Sequence, residues 1–286
     1  YTVTYNVSDA AGNAATEVTR TVNVVKANQA ITFGSLTGKT YGDADFSVGA
    51  TSDSGLTVGF ASQTTGICTV SGATVHIVSA GTCTIRASQV GNTNYNAAPN
   101  VDQGFNVAAK SATVTANDKS KTYGDMNPVL DAVVTGDVNG DTINYTLGTT
   151  ATQFSNVNDY DITVSLGTNS NYSITPTDGT LTIDKADAVI TVTPYSETYD
   201  GTAYTATGSA IGVQGETLDG LDLSGTTHTD AGDYTGDEWT FTDVTTGNYN
   251  DAGDTIDDMI VQAPSTTVVT CSPSSVVYAA LARTPC

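Results

Sequence analysis

The chain has 286 residues, 30 of them acidic and 9 basic, for a formal net charge of −21. That balance repels nucleic acid and anionic membrane surfaces, and no apolar run reaches the roughly eighteen residues that a transmembrane helix needs. The acids are 26 Asp against 4 Glu, and Asp favours turns where Glu favours helices, so the composition predicts strands and turns.

In residues 1–26, Tyr1, Val3, Tyr5 and Val7 alternate with Thr2, Thr4 and Asn6, the period of a half-buried strand. Ser8–Asn13 is a turn by composition, and Val18, Val22 and Val24 mark a second strand. Two strands cannot bury a core alone. This piece reads as the closing hairpin of a domain whose front is missing, in a segment cut from a longer secreted chain.

Strand-like Val22–Val25 then passes through Lys26-Ala27-Asn28 into strand-like Ile31–Phe33. The same direct junction recurs at Ala109-Lys110, at Lys185-Ala186 and at Ala263-Pro264, where Thr267–Val269 is the strand expected to follow. No linker is Gly/Ser-rich, so the joints should be short and stiff. Soon after each junction comes a mark: Lys39-Thr40-Tyr41-Gly42-Asp43, Lys121-Thr122-Tyr123-Gly124-Asp125, the relaxed Glu197-Thr198-Tyr199-Asp200-Gly201, and the fainter Val276-Val277-Tyr278. A recurrence at roughly 80 residues is the signature of one repeated unit.

Each unit also closes alike. Late strands begin at Cys83, Tyr160 and Tyr234, and Asn-Tyr turns follow at Asn94-Tyr95, Asn171-Tyr172 and Asn248-Tyr249. After Tyr234 the alternation slips, since Trp239 and Phe241 share a face that Tyr234 does not, which predicts a bulge. About seven short strands per unit read as an antiparallel β-sandwich. The boundaries are 1–26 for the trailing hairpin, 27–109, 110–185 and 186–263 for three whole sandwiches, and 264–286 for the opening strands of another. The four cysteines form two equally spaced pairs, Cys68 with Cys83 and Cys271 with Cys286, and no histidine stands at metal-ligand spacing. Disulfides in an oxidising compartment are the expectation.

The Thr-Tyr-Gly-Asp segments, Tyr199-Asp200-Gly201 and the Asn-Tyr turns resemble the mostly-bacterial-Ig-like (MBG) and YDG-type repeats of large bacterial surface proteins. Cys68-Thr69-Val70-Ser71-Gly72 with Ala80–Ile85 resembles a cysteine-containing variant of the same group, and Ser8–Asn13 is similar to the end of another bacterial surface Ig-like domain. The resemblance implies Ig-like sandwiches in exported, adhesin-like proteins, with the repeats as stalk. It brings no catalytic residues.

Candidate chemistry is sparse. The marked tyrosines are expected to pack at a sandwich end with their hydroxyls on backbone. His76 and His228 lie in different units, and neither shows the nucleophile and orienting acid of a triad. Paired carboxylates are common, but slim sandwiches offer no cleft for glycosidase chemistry. Calcium is the sharper option. Asp251, Asp254, Asp257 and Asp258 form the densest acidic cluster, with Asp230, Asp233 and Asp237 next, in a stretch from Asp187 to Ala263 that has no Lys or Arg. Asp137-Val138-Asn139-Gly140-Asp141 starts like an oxygen-ligand loop, then fails at Thr142 and Gly148. An isopeptide staple would need a buried lysine such as Lys39 or Lys121, and Asn6, Asn144 and Asn171 fit a glycosylation pattern that chance explains.

The expected molecule is all-β: tandem Ig-like antiparallel β-sandwiches in an elongated rod of roughly 100 Å, at about 33 Å per sandwich. It is expected to be a non-catalytic stalk of a bacterial cell-surface adhesin-like protein, needing no cofactor except a candidate calcium. Its partners are neighbouring repeats or other copies, with surface glycans a further candidate. The rivals are a filament subunit that joins through exposed strand edges and a carbohydrate-binding module whose contacts would be surface tyrosines or Trp239.

Overall fold

The structure is a computed structural model and describes residues 1–269. Apart from one 3-10 turn at Ser224–Thr226, every regular element described is a β-strand. The fold class is all-β. By contacts the chain forms two compact units: 1–117 with 130–148 and 162–179, and 118–129 with 149–161 and 180 onward. The division falls inside residues 110–185, so each junction between successive repeats lies wholly within one unit.

The first unit opens with Thr2–Tyr5 paired antiparallel to Val18–Thr21. The Asp9 carboxylate organises the turn by accepting the Ala11 and Asn13 amides. The strand expected to reach Val25 ends at Thr21. The register puts Tyr1, Val3, Tyr5 and Val18 on one face, and all are exposed.

Residues 27–109 build a sandwich by alternation. Ile31 and Phe33 point in around Thr32, Cys83, Ile85 and Ala87 point in along Gly81–Ser88, and Phe105 and Val107 point in along Val101–Ala108. Three sheets supply one core. Ile31–Phe33 pairs with Ala50–Ser52, Thr74–Ile77 lies between Phe46–Ser47 and Cys68–Ser71, and Lys39–Thr40, Val101–Ala108, Gly81–Ser88 and Gly59–Ser62 form the largest sheet in that order. Phe33 meets Phe60, and Phe46 meets Phe105, at 5.5 Å between ring centres. Each fully buried large apolar side chain is worth roughly 1.5–3 kcal/mol. The Cys68–Cys83 disulfide joins two of these sheets across 5.8 Å between Cα atoms. The unit continues with Lys110–Ala116, which pairs antiparallel with Ala132–Thr135 and parallel with Tyr172–Thr177.

In the second unit Lys119–Thr122 runs parallel to the strand Gly179–Asp184. Val189–Thr193 pairs with Thr207–Ile211, and a four-stranded sheet follows in the order Ser196–Thr198, Ala252–Val261, Gly232–Phe241, Leu221–Asp222. The expected bulge is present as a register shift between Tyr234 and Asp237. Residues 262–269 are in no strand, where one is expected at Thr267–Val269. The rest of the expectation for 264–286 lies outside the described residues. That includes Tyr278 and the disulfide expected between Cys271 and Cys286.

One device recurs three times. The two to four residues before each marked tyrosine pair in parallel with the last strand of the same repeat. The tyrosine N–H then closes the pair: Tyr41 to Ala108 O, Tyr123 to Asp184 O and Tyr199 to Val261 O, each 2.9 Å. The marks are therefore equivalent positions, which their sequence similarity alone could only suggest.

Candidate functional site

Thr40–Asp43 is a tight turn. The Asp43 amide donates to Thr40 O at 3.0 Å, the Asp43 carboxylate accepts the Thr40 amide at 2.9 Å, and Gly42 takes φ +85°. Only glycine holds that conformation at no steric cost. The turn throws the Tyr41 ring off the end of its strand pair, where it is 5% exposed and packs edge-to-face on Tyr172 at 5.6 Å and 80°. Both phenols donate to the same oxygen, Asp141 Oδ2, at 2.8 and 2.6 Å. Val138 lies over Gly42 and gives its N–H to the Tyr172 hydroxyl at 3.1 Å. Asn171, the partner of Tyr172 in its turn, accepts the Ala80 amide at 3.0 Å. Residues from two successive repeats thus interlock as a clamp.

The second unit contains the same clamp. Tyr123 packs on Tyr249 at 5.6 Å and 81°. Val213 lies over Gly124 and donates to the Tyr249 hydroxyl at 3.0 Å. Tyr249 donates to Glu216, and Asn248 accepts the Val157 amide at 2.9 Å. One contact differs: the Tyr123 hydroxyl accepts from Gln214 Nε2 at 2.9 Å. The expectation that these tyrosine hydroxyls bond to backbone is corrected. Both face side chains from the following repeat, because the ring leaves its own sandwich instead of folding back on it.

The electrostatics follow from burial. Burial, and then the hydrogen bond to Glu216, push the Tyr249 phenol up to about 12. Burial and the Asp141 bond likewise raise Tyr172. For Glu216 burial acts upward, but the Tyr249 hydroxyl and backbone amides outweigh it and hold the carboxyl below its ordinary value. Asp243 fixes the third Asn-Tyr turn by accepting the amides of Thr246, Asn248 and Tyr249 at 2.9, 2.8 and 3.1 Å. Burial opposes its charge, yet the Thr246 hydroxyl and these amides hold it down to about 2.

The sequence-predicted candidates are placed as follows. Cys68 and Cys83 are joined. Cys271 and Cys286, the other expected pair, lie outside the described residues, so the structure joins one pair of the two expected. The four calcium candidates are not gathered. Asp254 and Asp257 are exposed on opposite faces of one alternating strand, and Asp257 accepts the Gly236 amide at the bulge. Asp258 is 2% exposed, with Oδ1 on the Tyr195 amide at 2.8 Å and Oδ2 without a hydrogen-bond partner among the described residues, and its burial raises its pKa. Asp251 is exposed at the strand's edge. Asp237 pairs with His228 at 2.8 Å, and the Asp230 carbonyl accepts from Tyr234. Among the described residues no group of three or more His, Cys, Asp or Glu side chains converges as a metal site. Asp141, the end of the failed calcium loop, is the clamp acid. Lys121 is buried, but its amine donates to the carbonyls of Asp125, Thr152 and Gln153, not to an Asn or Asp side chain. His76 bonds to Asp45 on an exposed surface, and Asn144 and Asn171 spend their side chains on backbone groups.

Sequence reasoning missed the receiving loop. Its signal was a second pair of matching strings, Val138-Asn139-Gly140-Asp141-Thr142 and Val213-Gln214-Gly215-Glu216-Thr217. The phenols of Tyr41, Tyr172 and Tyr249 are buried or half-buried and already bonded to the clamp acids, and the clamp binds one repeat to the next through edge-to-face rings and a shared or adjacent acid.

No curated protein matches the chain. Among solved structures it is similar to Drosophila N-cadherin EC1-3 (9% identity, 84% of this chain and 99% of that one, TM-score 0.28). It is also similar to surface layer protein SbsC domains 4-9 (12%, 90% and 44%, 0.23) and to Sidekick-1 immunoglobulin domains 1-5 (10%, 83% and 60%, 0.27). Residues 112–182, which carry Tyr123-Gly124 and the Asn171-Tyr172 turn, match the MBG domain of YGX type.

Proposed function

We propose that the chain is a load-bearing spacer of an extracellular, adhesin-like bacterial surface protein, with sandwiches at 27–109, 110–185 and 186–263 set in series. One observation carries the reading: the same clamp, with the same ring geometry, stands at two successive junctions, Tyr41–Tyr172 and Tyr123–Tyr249. A reactive site is needed once and must be open to substrate. A buried joint repeated at two successive junctions does work only by fixing neighbours. The MBG match and the disulfide support an exported setting.

Small-angle scattering tests it. A stiff series about 100 Å long has a radius of gyration near 30 Å, against roughly 19 Å for a compact globule of this length. A value near the smaller figure would end the reading.

The exposed apolar face of the first hairpin favours a second reading, a subunit that buries Tyr1, Val3 and Tyr5 against another β segment. Mass measured by light scattering at several concentrations separates the two, since a spacer stays monomeric and a filament subunit grows.

A further inference from the structure

The three marks are equivalent in backbone pairing but not in the residue after the tyrosine. Gly42 and Gly124 follow two of them with φ +85° and +93°. A Cβ built on Gly42 would lie 2.6 Å from Val138 Cγ2, and one on Gly124 would lie 2.6 Å from Val213 Cγ2. The valine of the incoming loop therefore occupies the space that any side chain would need. After Tyr199 stands Asp200, and the left-handed glycine comes one residue later, at Gly201 with φ +84° and nothing among the described residues within 4 Å of its Cβ position. Asp200 builds its own turn by accepting the Thr202 amide and hydroxyl at 2.8 and 2.6 Å. The Tyr199 ring is 41% exposed.

The receiving loops vary in step. Those seated on Tyr-Gly ends carry valine and an acid, at Val138/Asp141 and Val213/Glu216. The loop after Ala50–Ser52 occupies the same place in its repeat, with Asp53-Ser54-Gly55-Leu56-Thr57. It keeps the left-handed glycine, Gly55 at φ +74°, but has Asp for the valine and Leu for the acid.

We propose that the residue after the clamp tyrosine is the specificity determinant of the junction: glycine there admits a repeat whose loop carries valine and an acid, and Asp200 excludes such a repeat from the end of residues 186–261. The partner class of each end is then written locally. The inference goes beyond the spacer reading, because it holds or fails on the contacts of one clamp whatever the chain's overall dimensions.

The test uses the full chain and hydrogen exchange at the Val213 and Val157 amides, the two donors that close the second clamp. Exchanging Gly124 and Asp125 (G124D with D125G) writes the Tyr-Asp-Gly turn into that clamp. Exchange at both amides should rise about tenfold or more as the clamp opens. Gly124→Ala and Gly201→Ala both place a methyl on a left-handed backbone, but only the first meets a neighbour, so only G124A should speed exchange at Val213. Adding V213A to G124A should return the rate to within about threefold of the unaltered chain. The proposal is overturned if the swapped turn leaves exchange unchanged, if G201A opens the clamp as far as G124A, or if V213A brings no rescue. Should G124A fail to fold, the same decision is read from folding of the G124A/V213A chain: recovery supports the proposal, and failure overturns it.

Discussion

The sandwich at 27–109 and the acidic one ending at Val261 share a closing device but are sealed differently. In the first, the buried side chains are almost all apolar, with Gln29 the polar exception, and a disulfide joins two sheets. In the second, Phe241, Tyr249 and Ile260 share the interior with Thr226, Asn248 and Asp258. Buried polar groups are tolerable when bonded. Thr226 donates to Leu223 O and accepts the Ala206 amide, while Asp258 keeps one oxygen without a hydrogen-bond partner among the described residues. One fold can thus be closed by a covalent staple with apolar packing, or by bonded polar side chains. The first should respond to redox conditions and the second to pH.

The largest effect expected is on the staple. Reducing Cys68–Cys83, or the C68S/C83S variant, should lower the stability of residues 27–109 by about 3 kcal/mol on the chain-entropy account. Thermal melts followed by hydrogen exchange should show residues 186–261 unaffected. Loss in both regions would break the comparison. Next comes acid. Asp243 has a folded pKa of about 2 against 3.8 unfolded, so its stabilisation is complete above pH ~4 and disappears as pH falls towards 2. That is about 2 kcal/mol, and D243N should remove Asp243's share of the acid dependence of the 186–261 melt without touching 27–109.

Asp258 has the opposite sign. Burial raises its pKa, so the charged form costs stability and acidification relieves that cost. D258N keeps an acceptor for the Tyr195 amide and should stabilise this region by about 1 kcal/mol at neutral pH, where equal or lower stability would count against the assignment. The smallest effect is expected from a chelator. The melt of residues 186–263 should stay fixed in low salt, and a drop would restore calcium to the acidic stretch.

Much of this was legible in residues. Ile31–Phe33 and the late strand at Cys83 were legible as strands, and the structure has strands at Ile31–Phe33 and Gly81–Ser88. The slip after Tyr234 marked a bulge because a strand has period two. The clamp was half legible. Repetition singled out the tyrosines and Asn-Tyr turns, but not their pairing, since Tyr41 and Tyr172 are brought together only by the register of strands far apart in sequence. Asp141 was left without a role because an acid in a Gly/Asn turn looks the same whether it faces a cation, solvent or two phenols. The burial of Asp258 was hidden by its exposed neighbours: Asp257 lies on the opposite face, and Asp254 shares Asp258's face but sits nearer the strand's exposed start.

The connecting residues themselves are tied down. Ala27 bridges to the Asn94–Asn96 backbone through both its N–H and its C=O, Ala186 does so to Asn248 and Asn250, and Lys110 donates to Asn171 O. Proteases need an unpaired stretch of backbone that can enter their cleft. Brief digestion should therefore cut within a repeat, such as at the exposed stretch around Met126 and Val129, and leave these three connections whole, so the fragments released will not correspond to single sandwiches. Resistance to proteolysis would then be set by these bridges as much as by the stability of each sandwich.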